Sequence, residues 1–179
     1  MFIQYKNLTL RNATVQDAAL LSSWWNDGAV MAHAGFPNGI GQKSIEIAAR
    51  IKEDTEEHRR LIIALDNSPI GEMNYITCPN QENCKTAEIG IKICVFSEQE
   101  KGYGKIVLSM LISFLFYNLG YQKIILDTNL DNKRAQHVYE KLGFRKQRIN
   151  VNSWKNQLGE LQSSIDYELI PEDFVNFAK

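Results

Sequence analysis

Two glycines, Gly102 and Gly104, stand one residue apart in the stretch EQEKGYGK, just ahead of a long apolar run. A glycine inside a helix costs about 1 kcal/mol relative to alanine, so a pair at a helix start indicates a special need. A helix start presents unpaired backbone N–H groups and the positive end of the helix dipole. Because glycine has no Cβ, an anion can approach that backbone closely. The pattern predicts a phosphate-binding site, with a ligand-free tight turn as the alternative.

Two familiar phosphate motifs do not describe this stretch. The chain contains no GxxxxGK[ST] sequence, and GxGxxG fails because residue 107 is valine. Metal chemistry is not indicated either, because the three cysteines form no CxxC pair and the three histidines are scattered. We expect reduced thiols and no metal site. These residues are Cys78, Cys84, Cys94, His33, His58 and His137.

Composition restricts the class of protein. The chain has 179 residues, is 44% hydrophobic and carries a formal net charge of -1, which predicts one globular domain over 1–179 and argues against a nucleic-acid binder. The N-terminus lacks the pattern of a signal peptide, and the longest apolar run is shorter than the roughly 20 residues that span a bilayer. We therefore expect a soluble, cytoplasmic protein that binds no membrane.

The elements that must position the glycines follow from hydrophobic periodicity. Residues 86–96 alternate strictly between an apolar face and a face with Glu88, Gly90 and Lys92, which predicts a strand. The apolar helix 103–118 and the strand 123–128 then complete a βαβ unit. Antiparallel strands before this unit make a mixed α/β sheet. The remaining predicted strands are 8–11, 60–65, 70–77, 147–154 and 163–170, and the predicted loops are 26–42 and 78–85. The remaining predicted helices are 14–25, 45–57 (capped by Ser44) and one within 132–144, whose apolar stripe is Ala135, Val138, Tyr139 and Leu142 and whose stop is Gly143.

The residues that flank the two glycines are similar to a known cofactor-binding signature. The sequence Gln99-x-x-Gly102-x-Gly104 resembles the Q/R-x-x-G-x-G/A acetyl-CoA signature of the GNAT acetyltransferase superfamily. Glu88 lies eleven positions earlier, and a buried helix, a strand and the segment NKRAQHVYEKLGF follow in the order of that family. The early LTLRNATVQDAALL and the later WWND are similar to the branch that includes ribosomal-protein N-terminal acetyltransferases.

This resemblance implies a GNAT fold, a mostly antiparallel sheet of about seven strands, flanked by helices and splayed between its fourth and fifth strands. Acetyl-CoA would lie in the split, with its core site within 86–146. Glu98 and Glu100 must face outward, because a carboxylate directed at the pyrophosphate would repel it. The backbone of Ile93, Cys94 and Val95 would pair with the pantetheine arm, and Asn132 would also bind the cofactor. The N–H groups of Gln99 to Lys105 would hold the pyrophosphate, with Lys101 and Lys105 adding positive charge; these residues are Gln99, Glu100, Lys101, Gly102, Tyr103, Gly104 and Lys105.

Acetyl transfer to an amine needs a base, a site for the oxyanion and a proton for the leaving thiolate. Glu88 is our first candidate for the base, through water, and Glu72 is the reserve; a surface carboxylate is the alternative for Glu88. The resemblance makes Tyr139 the candidate general acid, with a core aromatic as its alternative. Cys94 is expected to be a spectator. The residues expected to shape the acceptor site are Trp24, Trp25, Asp27, His33, Phe36 and Glu72.

The resemblance predicts an enzyme that moves an acetyl group from acetyl-CoA directly to a primary amine. The acceptor is left open between a protein N-terminus and a small molecule such as a polyamine or an aminoglycoside. A catalytically silent CoA-binding sensor or interaction module is the alternative. The expected partners are the amine acceptor and a second copy in a homodimer, with no nucleic acid and no membrane.

Overall fold

The computed structural model describes residues 1–79 and 84–179 and consists of one eight-stranded sheet with helices on both faces. The strands are β1 (Phe2–Tyr5), β2 (Leu8–Asn12), β3 (His58–Leu65), β4 (Ser68–Thr77), β5 (Thr86–Ile93), β6 (Lys123–Asn129), β7 (Arg145–Lys155) and β8 (Leu161–Leu169). The helices are α1 (Ala18–Trp25), α2 (Gly28–Met31), α3 (Ser44–Lys52), α4 (Tyr103–Tyr117) and α5 (Lys133–Lys141). No helix of this part of the chain is long and apolar enough to cross a membrane.

The sheet opens between β5 and β6. The strand order is β1-β2-β3-β4-β5-β6-β8-β7, and β5 with β6 is the parallel pair in an otherwise antiparallel sheet. These two strands pair over three residues, ending at Glu88 opposite Ile125, although both strands continue. The predicted splay is therefore present, and it begins directly after Glu88. Strands β5 and β6 are the fourth and fifth of the predicted strands, because β1 was not predicted.

Two hydrophobic cores hold the helices on opposite faces of the sheet. Helices α4 and α5 pack on one face around side chains such as Leu111, Ile124 and Tyr167. Helices α1, α2 and α3 cover the other face, with Leu21 and Ile47 in their core. Because α4 is buried on most of its surface, its sequence is apolar on nearly all sides, and this pattern predicted the helix.

Three elements differ from the prediction. The strand Phe2–Tyr5 adds an eighth strand at the sheet edge, beside Leu8–Asn12. The predicted loop 26–42 contains the short helix Gly28–Met31, capped by the Asp27 carboxylate. Ser44 begins α3 instead of capping it, since Glu46 accepts from the Lys43 N–H, and α3 ends at Lys52. The predicted polar loop 78–85 lies outside the described residues at 80–83.

Candidate active site

A cleft of about 1390 Å³ follows the opening between β5 and β6 and extends under α1 and α2. The start of α4 and one side of α5 line its first part, and strands β4 and β5 form its floor. The cleft therefore joins the predicted phosphate site to the region where the acceptor was expected. Tyr139 and Glu72 both line it, and Glu88 does not.

The glycine loop leaves open space at the start of α4. Gly102 precedes the helix with φ of 85°, a conformation that favours glycine, and a Cβ added there would meet nothing within 4 Å. A Cβ on Gly104 would have one neighbour, the Ile91 Cδ1 atom at 3.9 Å. The Gln99 side chain fixes the loop by donating from Nε2 to the Ile93 carbonyl, at 2.8 Å. The exposed N–H groups and the missing Cβ atoms fit a pyrophosphate.

Charged side chains around this loop are already engaged. Lys101 pairs with Glu98 at 3.0 Å, and the Lys105 ammonium lies 3.9 Å from the centre of the Phe177 ring. Glu100 turns toward α5, where Arg134 pairs with it at 3.1 Å. Both carboxylates line the cleft, contrary to the expectation that they face outward, and each has a cationic partner that offsets part of the repulsion of a pyrophosphate. The two lysines were expected to add positive charge at the pyrophosphate, but each has another contact here.

The main chain of β5 faces the gap earlier than predicted. The N–H groups of Cys94 and Val95 both donate to the Ile70 carbonyl, at 2.9 and 3.0 Å, so they are not available to a pantetheine arm. Hydrogen bonding alternates along an antiparallel pair, so Ile91 and its odd-numbered neighbours direct their main-chain groups away from β4, into the gap. The N–H groups of Cys94 and Val95 therefore do not supply the predicted backbone pairing, whereas Ile93 is an odd-numbered residue that faces the gap, and its pairing with the pantetheine arm stays a prediction. Burial raises the pKa of Cys94 to about 12, consistent with a spectator thiol.

Tyr139 is both a core aromatic and a residue of the cleft, so it fits both interpretations of the sequence. Its side chain is 7% exposed, and its ring packs against Phe144 and Tyr167 with centroids 5.8 and 5.7 Å away. The residue nevertheless lines the cleft, and within residues 1–79 and 84–179 its hydroxyl has no hydrogen-bond partner. Burial, with a smaller contribution from the charge of Asp127, raises the pKa of Tyr139 to about 12. The hydroxyl therefore stays protonated and can donate a hydrogen bond into the cleft.

Asn132 has a structural role at the same end of the cleft. Its side-chain oxygen accepts from the Ala135 N–H at 3.2 Å and so caps α5. The residue also lines the cleft, as the resemblance implied. Asn132 therefore fixes the start of the helix that carries Tyr139.

Glu72 is the centre of the acceptor side. Its carboxylate oxygen Oε1 accepts from the Trp25 indole Nε1 at 2.7 Å and lies 3.4 Å from the Lys92 ammonium. His33 also lines this part of the cleft. Three of the other expected acceptor residues do not: Trp24 is in the helical core, Asp27 caps α2, and Phe36 lies outside the lining.

Glu88 lies just before the point where the strands part. It is still paired with β6 at that position, and it borders a second, smaller depression together with Asp127 and Asp166. Glu88 is exposed at its strand position, and partial desolvation with the charge of Asp127 raises its pKa, while burial with the charge of Asp166 raises the pKa of Asp127. Glu88, the first candidate for the base, therefore does not line the cleft that contains Tyr139, because the gap has not opened at residue 88, and its role as a base stays a prediction.

Several lining residues had no assigned role in the sequence. Trp154 reaches the cleft from the far end of the chain, because Gln157 in the β7–β8 turn bonds the backbone of Gly35 and Gly39. Lys92 was visible only as one position of an alternating strand. Asn74 and Asp127 are polar positions on strands, with no local feature that marks them as part of a site.

Comparison with known proteins identifies the scaffold. The family model described as an acetyltransferase (GNAT) domain matches residues 7–145, more than three quarters of the chain. The chain belongs to the GNAT acetyltransferase family. A curated relative, the SPbeta prophage-derived uncharacterized N-acetyltransferase YokL of Bacillus subtilis (strain 168), is 26% identical over 146 residues, which are 79% of this chain and 78% of that protein.

Solved structures share the fold of this GNAT protein. The spermidine N-acetyltransferase from Vibrio cholerae, in complex with CoA and spermine, has a TM-score of 0.82 at 21% identity and covers 95% of this chain and 99% of its own. The RimL ribosomal L7/L12 alpha-N-protein acetyltransferase, in complex with coenzyme A, also has a TM-score of 0.82, at 16% identity, and covers 95% and 98%.

Family membership confirms three predictions: the GNAT fold, an acetyltransferase, and acetyl-CoA as the co-substrate. The open glycine loop agrees with the third, since the space at Gly102 and Gly104 suits a pyrophosphate. In the described part of the chain, no group of three His, Cys, Asp or Glu side chains is placed to hold a metal ion.

Proposed function

We propose that this GNAT protein transfers the acetyl group of acetyl-CoA to a primary amine held beside Glu72. One observation carries the proposal: the glycine loop, Tyr139 and Glu72 line a single continuous cleft. Glu72 first takes one proton from the ammonium form of the amine. In the reaction the amine nitrogen then bonds to the acetyl carbon, the C–S bond breaks, and the second proton lost by nitrogen ends on sulfur.

The start of α4 binds the pyrophosphate in this account. The N–H groups around Gly102 to Lys105 and the positive end of the helix dipole supply the attraction. The pantetheine arm enters the gap, where the main-chain groups of Ile91 face it. The main-chain N–H group of Ile91 also stabilises the oxyanion that forms when the amine attacks.

Tyr139 stabilises the departing sulfur. An ordinary thiol has a pKa near 8.5, and the pKa of Tyr139 is raised to about 12. Complete proton transfer from the phenol to the thiolate is therefore uphill. The hydroxyl acts as a hydrogen-bond donor to the developing negative charge, and the proton released by the amine neutralises the thiolate.

Glu72 receives the acceptor amine. Its Oε1 is held by Trp25 and Lys92, which leaves the carboxylate fixed in the cleft wall where a cationic amine can reach it. The indole beside it offers an apolar face to the carbon chain of the amine and a cation–π contact to the ammonium. Glu88, acting through water from outside the cleft, is the competing base.

Two variants separate these bases. Glu72→Gln should lower kcat/KM for the acceptor about a hundredfold, because the amine loses its charged partner. Glu88→Gln should leave kcat/KM within about threefold, since residue 88 does not line the cleft. The opposite order of effects would assign the base to Glu88.

The acceptor is a small amine or a protein N-terminus. Among the proteins of similar fold, one is named for spermidine and another for the N-terminus of ribosomal L7/L12. The test is CoA release, with mass spectrometry of the product, for spermidine, an aminoglycoside and a hexapeptide with a free α-amine. An N-acetylated product supports the proposal. A folded protein that binds acetyl-CoA and acetylates none of these supports the silent CoA-binding module instead.

A further inference from the structure

Asn74 lies on the floor of the cleft, on the strand that also carries Glu72. The two side chains share a face of β4 and stand about 7 Å apart along it, by the usual strand rise. Their antiparallel partners on β5 are Lys92 for Glu72 and Gly90 for Asn74. Asn74 is therefore one step closer than Glu72 to the place where β5 and β6 begin to separate.

The Asn74 carboxamide extends across β5 because residue 90 is glycine. A Cβ built on Gly90 would lie 2.4 Å from the Asn74 Oδ1 atom and 3.5 Å from its Cγ. The carboxamide thus occupies the space that a side chain at position 90 would fill, and it points from β4 toward the gap. Within the described residues, no hydrogen bond holds the carboxamide in place. Gly90 has no left-handed φ, so the backbone itself does not require glycine there.

We infer that Asn74 binds the acceptor amine at the point of attack and that Gly90 is its positioning residue. This inference rests on the proposed acetyl transfer. A carboxamide carries a donor and an acceptor without charge, so it can hold a neutral nitrogen without favouring its ammonium form. Glu72 binds the cationic amine as it enters, and Asn74 contacts the nitrogen once it has lost its proton.

Gly90→Ala is a selective perturbation. The group that a new Cβ would displace is the end of one flexible side chain and not backbone, so the strand can accept alanine while Asn74 must move away. Asn74→Ala removes the same contact directly. Ile76→Ala is the matched control, because Ile76 is exposed on the same face of β4 and does not line the cleft.

The experiment is a double-mutant cycle with spermidine and the hexapeptide as acceptors. Asn74→Ala and Gly90→Ala should each raise the KM of the better acceptor about tenfold, the loss of one hydrogen bond. The KM for acetyl-CoA should stay within twofold, and the melting temperature should stay close to that of the parent. The double variant should be no worse than either single variant, because both remove one contact. Ile76→Ala should match the parent.

A fourth variant tests the neutrality of the group. Asn74→Asp keeps the size but adds a charge that favours the ammonium form, so the rising limb of the kcat–pH profile should move up by about one unit. A normal acceptor KM for Gly90→Ala, or additive losses in the double variant, would overturn the inference while acetyl transfer by the parent still stands. Failure of the parent to acetylate any amine would remove the proposed function, and the inference with it.

Discussion

The change Tyr139→Phe tests the donor to the departing sulfur. It removes one oxygen and keeps the ring that packs against Phe144 and Tyr167. Because the hydroxyl has no hydrogen-bond partner in the described part of the chain, its loss should change the free energy of unfolding by less than about 0.5 kcal/mol. The stability of the protein should therefore report that the fold is intact.

The effect on turnover follows from the pKa of the hydroxyl. With the pKa of Tyr139 raised to about 12, full proton transfer to sulfur is uphill, and the contribution is that of a hydrogen-bond donor to developing charge. Removing such a donor costs about 10²–10³ in kcat, or roughly 2.7–4 kcal/mol. Both kcat and kcat/KM should fall together, since the contact is made in the transition state. Between pH 7 and 10, the parent should show no loss of kcat from ionisation of this residue.

Tyr167→Phe is the matched control. Its hydroxyl donates to Glu140 Oε1 at 3.0 Å, and the residue does not line the cleft. We expect a loss of about 1 kcal/mol in stability, which lowers the melting temperature by about 2–4 °C, with normal kcat. The assay is stopped-flow detection of the CoA thiol under single-turnover conditions, where product release does not limit the rate. Near-normal single-turnover rates for Tyr139→Phe would refute the assignment.

Three further perturbations test other parts of the account. Gly104→Val should retain the fold, because the nearest atom to its Cβ is 3.9 Å away, and should weaken acetyl-CoA affinity more than tenfold in calorimetry; unchanged affinity would contradict the phosphate site. Glu88→Gln should raise the melting temperature at pH 7.5, because partial burial and Asp127 raise the pKa of Glu88, so that its charged form opposes folding. This gain should vanish as the pH falls toward about 4.3, the ordinary pKa of a glutamate carboxyl. A gain in melting temperature that grows at low pH would contradict this cause. Gly71→Ala places a Cβ 2.3 Å from the Lys92 carbonyl, so it should cost about 1–3 kcal/mol of stability in chemical denaturation, where tolerance would show that β4 and β5 can shift.

Local patterns predicted the parts of the site that depend on short-range geometry. Strict alternation marked the strand that carries Gly90 and Lys92, and the glycine pair marked the start of α4. The Tyr139 helix showed its apolar stripe and its glycine stop. Each of these features needs only neighbours in the chain, so each was readable without the fold.

The register of paired strands and the close approach of two backbone segments could not be predicted from local patterns. Whether Glu88 lies inside the gap depends on where β5 stops pairing with β6, and no residue type in either strand indicates where that pairing ends. The helix Gly28–Met31 looked like a loop because glycine suggests flexibility. Gly28 is needed there for a different reason, since a Cβ would lie 1.9 Å from the Pro37 carbonyl oxygen as the chain folds back.

Trp154 shows the same limit over a longer distance. It lies more than a hundred residues from Trp25 in the chain, and both line the cleft because the β7–β8 turn docks on the 35–39 segment. Gln157 makes that contact through its backbone and its side chain, at 2.8 to 2.9 Å. Only the assembled sheet brings these side chains together.

In the proposed reaction, one cleft holds the pyrophosphate at Gly104 and the sulfur at Tyr139. A crystal structure of the protein with CoA measures this directly. We expect the pyrophosphate against the N–H groups at the start of α4 and the sulfur within about 3.5 Å of the Tyr139 hydroxyl, the distance at which reacting groups are poised. A CoA molecule whose pyrophosphate lies elsewhere, or whose sulfur lies on the far side of β5 from Tyr139, would contradict the account.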